Sequence, residues 1–360
     1  MTIKRLVLKD FRNYDSVSVD FDKGVNIIYG NNAQGKTNLL EAIYFCSIGK
    51  SMRTNKEREV IKMGKEIAKI KVEIAQNNIK RTIEIVFSKK NKKTIKINGI
   101  AIHRIGELIG ELPCVFFSPD GLKLIKESPE DRRRFMDIAI SQTSKNYFYL
   151  LGKYDKVLDQ RNKLLKSSAN LEIIKNSVFI WNEQLADIGS KIIFSRINFL
   201  NALSPYAELA HIYLTNNDEK LNLSYLGTVG ENIEQIKSQL LSSLEKNLEK
   251  DFKLGFTSTG PHRDDIKILV DDIDIKAYGS QGQQKTTALS MKLAELEIIK
   301  NQTGKMPLLL LDDVFSELDP KRRKRLLKFC EKTQTLITCT DLSENDEFNK
   351  KIHIKNAQIV

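Results

Sequence analysis

Gly30-Asn31-Asn32-Ala33-Gln34-Gly35-Lys36-Thr37 decides how this chain is read. It has the G-x-x-x-x-G-K-T form of a phosphate-binding loop. Its flanks are the ones that form requires. Val25-Asn26-Ile27-Ile28-Tyr29 reads as a short buried strand, and residues 38–45 read as the helix that follows. Gly30 and Gly35 permit backbone conformations that a Cβ would resist. Successive N–H groups then point inward at phosphates, aided by the positive end of the helix dipole. In such a loop Gly30 to Thr37 bind ATP, Lys36 reaches the β- and γ-phosphates, and the Thr37 hydroxyl ligates Mg²⁺.

The loop needs a carboxylate partner, and one stands near the other end of the chain. Leu308-Leu309-Leu310-Leu311-Asp312-Asp313 is an apolar strand ending in two acids. That arrangement handles Mg²⁺ in P-loop nucleotidases, with Asp312 as the metal-side carboxylate. One nucleotide site built from both ends of the sequence implies that everything between is inserted or folded back.

Composition sets the bounds. The chain has 360 residues, 41% of them hydrophobic, enough for two domains or one large one. No stretch approaches the roughly 20 apolar residues of a membrane span, so no membrane partner is expected. Cys46, Cys114, Cys330 and Cys339 show no C-x-x-C spacing and read as reduced, mostly buried thiols of a cytoplasmic protein. The net charge of +12 fits a polyanionic partner such as DNA or RNA, and equally fits a surface rich in solvated lysines.

Residues 3–8 and 16–21 alternate as strands do. Further strand patterns cover 69–75, 81–87 and 94–97, with turn signals at Asn77-Asn78 and Asn98-Gly99, suggesting an antiparallel lobe beside the loop. Residues 114–117 read as a buried strand. From about 130 to 214 the pattern is helical, notably 147–165 and 179–203, and 233–248 is another helical run. Strand patterns return at 266–270 and 273–275. The chain then alternates helix (283–300), strand (307–311), helix (320–330), strand (335–338), which is α/β.

Tyr278-Gly279-Ser280-Gln281-Gly282-Gln283-Gln284-Lys285 opens the helix before the apolar strand. By itself Ser280 reads first as a helix N-cap. In context the stretch resembles the S-G-G-Q signature of ABC-type ATPases, with Gln281 replacing the first paired glycine. Ser316-Glu317-Leu318-Asp319 resembles that superfamily's D-loop. The resemblance implies that Ser280 binds the γ-phosphate held by an opposite subunit, and that Asp313 stands where transporters place a water-orienting Glu. Thr338-Cys339-Thr340-Asp341 stands where they carry a switch His; here the His is absent and no residue is assigned.

The moderate insertion between loop and signature is similar to the RecF family of recombination mediator ATPases. Phe11-Arg12-Asn13-Tyr14, residues 119–137 and Thr259-Gly260-Pro261-His262-Arg263-Asp264-Asp265 each resemble RecF blocks, although Glu127 replaces a usual Gly. The fold this implies is α/β. It is an ABC-type P-loop ATPase head with an antiparallel β lobe (1–125 and 251–360) and an inserted compact helical lobe (126–250). The implied activity is a weak, DNA-stimulated ATPase acting as a switch. It would dimerise on duplex DNA or single-strand/double-strand junctions with ATP and reset on hydrolysis, Lys36, Asp312 and Asp313 being catalytic. The resemblance further implies RecA loading at gaps with RecR and RecO, and roles in replication and the SOS response. The alternative is an ABC-type module driving a protein partner or transporter, which the long helical insertion disfavours.

Several residues carry two readings. Arg12 either reaches the γ-phosphate or makes a structural salt bridge. Arg132 and Arg133 either contact DNA or lie on a solvated helix face. Lys90 and Lys92 sit on a turn tip within reach of phosphates. His262 reads as a structural hydrogen-bonding residue before a catalyst.

Overall fold

The computed structural model describes residues 1–76, 79–167, 170–216, 219–342 and 348–360, so the turn expected at Asn77-Asn78 lies outside the described residues. The chain forms two compact units. One comprises Met1–Leu122, Ala210–Asp218 and Lys285–Val360; the other comprises Lys123–Leu209 and Glu219–Gln284.

The first unit holds two six-stranded sheets. One is antiparallel, in the order Tyr14–Asp20, Thr2–Phe11, Ile67–Gln76, Ile79–Ser88, Thr94–Ile97, Ile100–Ile102. Its strands alternate as a one-faced sheet should: in Ile67–Gln76, Ala68, Ile70, Val72 and Ile74 are buried and the residues between them are not. The other sheet has the order Gln358–Ile359, Lys350–Lys355, Val25–Tyr29, Thr335–Cys339, Leu308–Asp312, Cys114–Phe117. From Lys350–Lys355 to Cys114–Phe117 every neighbouring pair is parallel. Leu308–Asp312 and Thr335–Cys339 are buried along their whole length, the expected signature of a parallel strand covered on both faces.

The helix Lys36–Ile48 lies in the core that joins the two sheets. Leu39, Leu40, Ile43 and Phe45 pack in one cluster with Leu6, Leu8 and Phe87 of the antiparallel sheet and with Ile28, Leu310 and Ile354 of the parallel one. Phe45 meets Phe87 edge-on at 4.8 Å. The helix stops at Gly49, whose φ of 75° places it in the left-handed region and whose N–H donates to the Phe45 carbonyl. Lys93 Nζ donates to the Gly49 carbonyl at 2.7 Å and pairs with Glu57, a cation at a helix C-terminus.

The second unit is mainly helical: Pro129–Thr143, Lys145–Ser167, much of the 45-residue Leu171–Thr215, Ile233–Lys246 and Leu248–Leu254. Arg161 knits these together. Fully buried, it donates to Asn182 at 2.8 Å, Asp251 at 2.7 Å and Thr257 at 2.8 Å. A three-stranded sheet completes the unit, in the order Ile273–Asp274, Asp265–Val270, Leu221–Leu226. The last of these strands was not expected. Its pairing carries residues 265–270 into the second unit, which runs to Gln284. The strands Lys350–Lys355 and Gln358–Ile359 also exceed the sequence reading. Among the described residues, no helix is long and apolar enough to cross a membrane.

Candidate nucleotide site

The buried strand Val25–Tyr29 delivers the chain to Gly30 at φ 144°, where a Cβ would collide with the Ile354 carbonyl oxygen. Gly35, at φ 108°, precedes the helix; a Cβ there would meet the Asn13 amide at 2.8 Å and the Tyr14 hydroxyl at 2.9 Å. Both positions therefore require glycine for space as well as for conformation. Asn13 Nδ2 donates to the Gln34 carbonyl at 3.2 Å and Tyr14 OH to the Gly35 carbonyl at 3.1 Å. On the other side, the Asn356 N–H donates to Gln34 Oε1. The loop is thus braced by the chain's first turn and its last hairpin.

Lys36 folds back across this loop. Its Nζ donates to the Gly30 carbonyl and, at 2.9 Å, to the Asn31 carbonyl, and the residue is only 8% exposed. Burial lowers its pKa, opposed by the negative charge of Asp313 and, less, of Asp312 and Asp341. A buried ammonium held by two carbonyls is poised for stronger acceptors such as phosphate oxygens.

Asp312 Oδ1 accepts two hydroxyls, Thr37 Oγ1 at 2.9 Å and Thr338 Oγ1 at 2.6 Å. Burial raises the Asp312 pKa; these two hydrogen bonds oppose the rise and the charge of Asp313 adds to it. Asp313 sits in the left-handed region at φ 49°, and its N–H donates to Thr338 Oγ1 at 2.9 Å. Thr338 therefore fixes both acids at once. It lies where no switch residue was assigned, directly opposite Asp312 in the parallel register. The donors gathered here, two hydroxyls and a carboxylate, are hard oxygen ligands, the set that suits a Mg²⁺ ion.

Arg12 is a salt bridge in this structure. Nε and Nη2 grip both oxygens of the fully buried Glu41 at 2.8 and 2.6 Å, and Nη1 donates to the Glu59 carbonyl at 2.9 Å. Ser51 Oγ donates to the same carboxylate at 2.5 Å. Arg53, which sequence reading passed over, donates to Asn38 Oδ1 at 3.0 Å, and its positive charge is felt at Asp312.

Ser280 is an N-cap of the helix Gln281–Thr303. Its Oγ accepts the Gln283 N–H at 3.2 Å and its own N–H donates to Gln283 Oε1 at 3.0 Å, a reciprocal capping box. The residue is exposed. In the other unit, Asp319 caps the helix Pro320–Cys330 and Ser316 Oγ donates to the Asp313 carbonyl at 2.7 Å, tying the D-loop-like turn to the acids. Lys285 pairs with Glu317 of that turn.

The four DNA-contact expectations part company. Arg132 is 2% exposed: it grips both oxygens of Asp265 at 2.6 and 3.0 Å, and Nη1 donates to the Leu124 carbonyl at 3.2 Å. A guanidinium so enclosed cannot meet DNA, which corrects that expectation. Arg133 is half-buried with Nη1 on the Asp264 carbonyl at 2.8 Å. Lys90 and Lys92 are exposed. His262 is held by the Tyr154 hydroxyl at 2.9 Å and the Thr257 carbonyl at 3.0 Å, a structural role. All four cysteines are buried free thiols.

Known proteins resemble this chain along nearly its whole length. The family model "RecF/RecN/SMC N terminal domain" matches residues 2–358. The DNA replication and repair protein RecF of Clostridium acetobutylicum is 44% identical over 350 residues, covering 97% of this chain and 96% of its own. That of Clostridium perfringens is 43% identical over 363 residues, covering 100% and 99%. The solved RecF-ATP structure of the recombination mediator protein in the RecFOR pathway superposes with a TM-score of 0.91 at 38% identity, covering 99% and 96%. An Smc head bound to the C-winged helix domain of ScpA, at 18% identity and a TM-score of 0.59, shares the fold alone.

Proposed function

The chain belongs to the RecF family of ABC/SMC-type ATPases of DNA replication and repair, and on that premise we propose that it is an ATP-switched DNA clamp. The observation that carries the proposal is the convergence of Thr37 and Thr338 on Asp312 beside a buried Lys36. When a triphosphate enters the loop, Lys36 exchanges the Gly30 and Asn31 carbonyls for phosphate oxygens. Thr37 and Asp312 would hold Mg²⁺, which supplies charge neutralisation at the phosphates. Asp313, fixed through Thr338, orients the attacking water.

Ser280 accepts one hydrogen bond but keeps its own hydroxyl hydrogen for an outside acceptor. We assign that acceptor to the γ-phosphate held by a second copy. Two copies then close head to tail over two nucleotides, and closure depends on the γ-phosphate, so ATP favours the dimer and ADP the monomer. Lys90, Lys92 and the half-buried Arg133 are the basic contacts left for duplex DNA or a single-strand/double-strand junction. The same reading places the protein in the cytoplasm, supporting RecA loading at gaps with RecO and RecR, with slow hydrolysis as the reset.

Sedimentation and duplex-DNA titration with ATP and with ADP test this. Wild type should dimerise and tighten on DNA only with ATP, and lose DNA affinity steeply as salt rises. Lys36→Met should lose both responses. Ser280→Arg should bind ATP and stay monomeric. ATP-independent DNA binding by a constant monomer would overturn the proposal.

A further inference from the structure

Tyr278 is 80% exposed, the most exposed aromatic side chain among the described residues. It is not on a slack loop. Asp274 caps the short turn Ile275–Tyr278 by accepting the Lys276 N–H at 2.9 Å. Ile275 is 2% exposed, and its carbonyl accepts both the Gly279 N–H at 3.2 Å and Gln284 Nε2 at 3.0 Å. Gly279 has no room for a side chain, because a Cβ would sit 2.6 Å from that carbonyl oxygen. A rigid, buried anchor therefore holds a large amphipathic ring in water two residues before Ser280.

Two residues span at most about 7 Å of chain. A protein interface covers roughly 800 Å² on each side, far more than one hydroxyl contact. A second copy that brings its γ-phosphate onto Ser280 must also bring its surface over Tyr278. Rigidly presented tyrosines that become buried in this way are the residues that dominate association energy.

We propose that Tyr278 is the principal side-chain anchor of the ATP-closed dimer, packing on the second copy beside the nucleotide that Ser280 meets. The inference rests on the closed-dimer reading given above. It assigns the closing energy partly to an aromatic contact that is independent of the phosphate. Because a two-fold dimer contains the contact twice, a roughly tenfold effect per copy becomes about a hundredfold in dimer Kd.

The test compares wild type, Tyr278→Ala, Tyr278→Phe and Ser280→Arg by sedimentation equilibrium with a non-hydrolysable ATP analogue. Nucleotide affinity is titrated separately on dilute monomer, and circular dichroism checks folding. Tyr278→Ala should bind nucleotide as wild type does but dimerise about a hundredfold more weakly, while Tyr278→Phe stays within a few-fold of wild type. If Tyr278→Ala dimerises as wild type does while Ser280→Arg fails to, the anchor is refuted and the shared site stands. If Ser280→Arg dimerises normally, the closed-dimer reading itself is refuted and the anchor falls with it.

Discussion

Two groups two residues apart in the helical unit should give it a stability that hides its own pH sensitivity. Burial pushes the His262 pKa from 6.5 down to about 4; its donation to the Thr257 carbonyl opposes this, and the charges of Arg263 and Arg133 add to it. Burial pushes Asp264 from 3.8 up to about 6, against the Tyr225 hydroxyl at 2.5 Å and the charges of Arg196 and Arg133. Between pH 6.5 and 4 the unfolded chain protonates His262 and the folded one does not, so stability falls with pH. At roughly 1.36 kcal/mol per pH unit the loss is about 3 kcal/mol. Between pH 6 and 4 the folded chain protonates Asp264 and the unfolded one does not, so stability rises as pH falls, again by about 3 kcal/mol. The two slopes cancel across nearly the same window. Asp264→Asn should expose the histidine slope, losing about 3 kcal/mol from pH 6.5 to 4 relative to wild type. His262→Asn should show the reverse slope, and the double variant neither. Urea unfolding followed through Trp181, the only tryptophan and a member of the same unit, reads this directly. If Asp264→Asn runs parallel to wild type over that range, the compensation does not exist.

Other substitutions probe the site and its frame. Thr338→Val leaves the Asp313 N–H without its acceptor and Asp312 with one of its two hydroxyl donors; it should cost about 1–3 kcal/mol and reduce ATP turnover more than ATP affinity, measured by denaturation and single-turnover hydrolysis. Asp312→Asn removes a carboxylate whose ionised form burial disfavours, a cost that is fully present once pH exceeds its raised pKa. The nucleotide-free protein should therefore melt at the same temperature or higher near neutral pH. Its turnover should fall roughly a hundredfold or more, and a lowered melting temperature would refute the charge argument. Arg132→Ala strands Asp265 and several carbonyls and should cost about 3–5 kcal/mol by urea titration, a loss that a DNA-contact residue would not show.

The loop and the Leu308–Asp313 strand were legible because each combines a local pattern with an order of elements that few other arrangements satisfy. Thr338 was not, since its role comes from register: only pairing of Thr335–Cys339 with Leu308–Asp312 sets its hydroxyl against Asp312. Arg132 was misread although a signal existed. In Pro129–Thr143 it falls in step with Phe135, Met136, Ala139 and Ile140, the buried stripe, and not with the exposed Arg134. The strand Lys350–Lys355 was hidden by its lysines, though Ile352 and Ile354 alternate inward as an edge-region strand does. The salt bridge of Arg12 depends on Glu41, a helix residue whose burial no local pattern announced.

The neighbours of the strand Val25–Tyr29 set a tempo for the molecule's birth. Both strands that flank it, Thr335–Cys339 and Lys350–Lys355, lie some three hundred residues downstream. At roughly 5–20 residues per second, a ribosome needs on the order of a quarter-minute to a minute to supply them. Throughout that interval the apolar strand that leads into the Gly30–Thr37 loop lacks both of its edge partners. Its pairing waits for both of them, so a nascent chain cannot close on nucleotide before Lys350–Lys355 has been made.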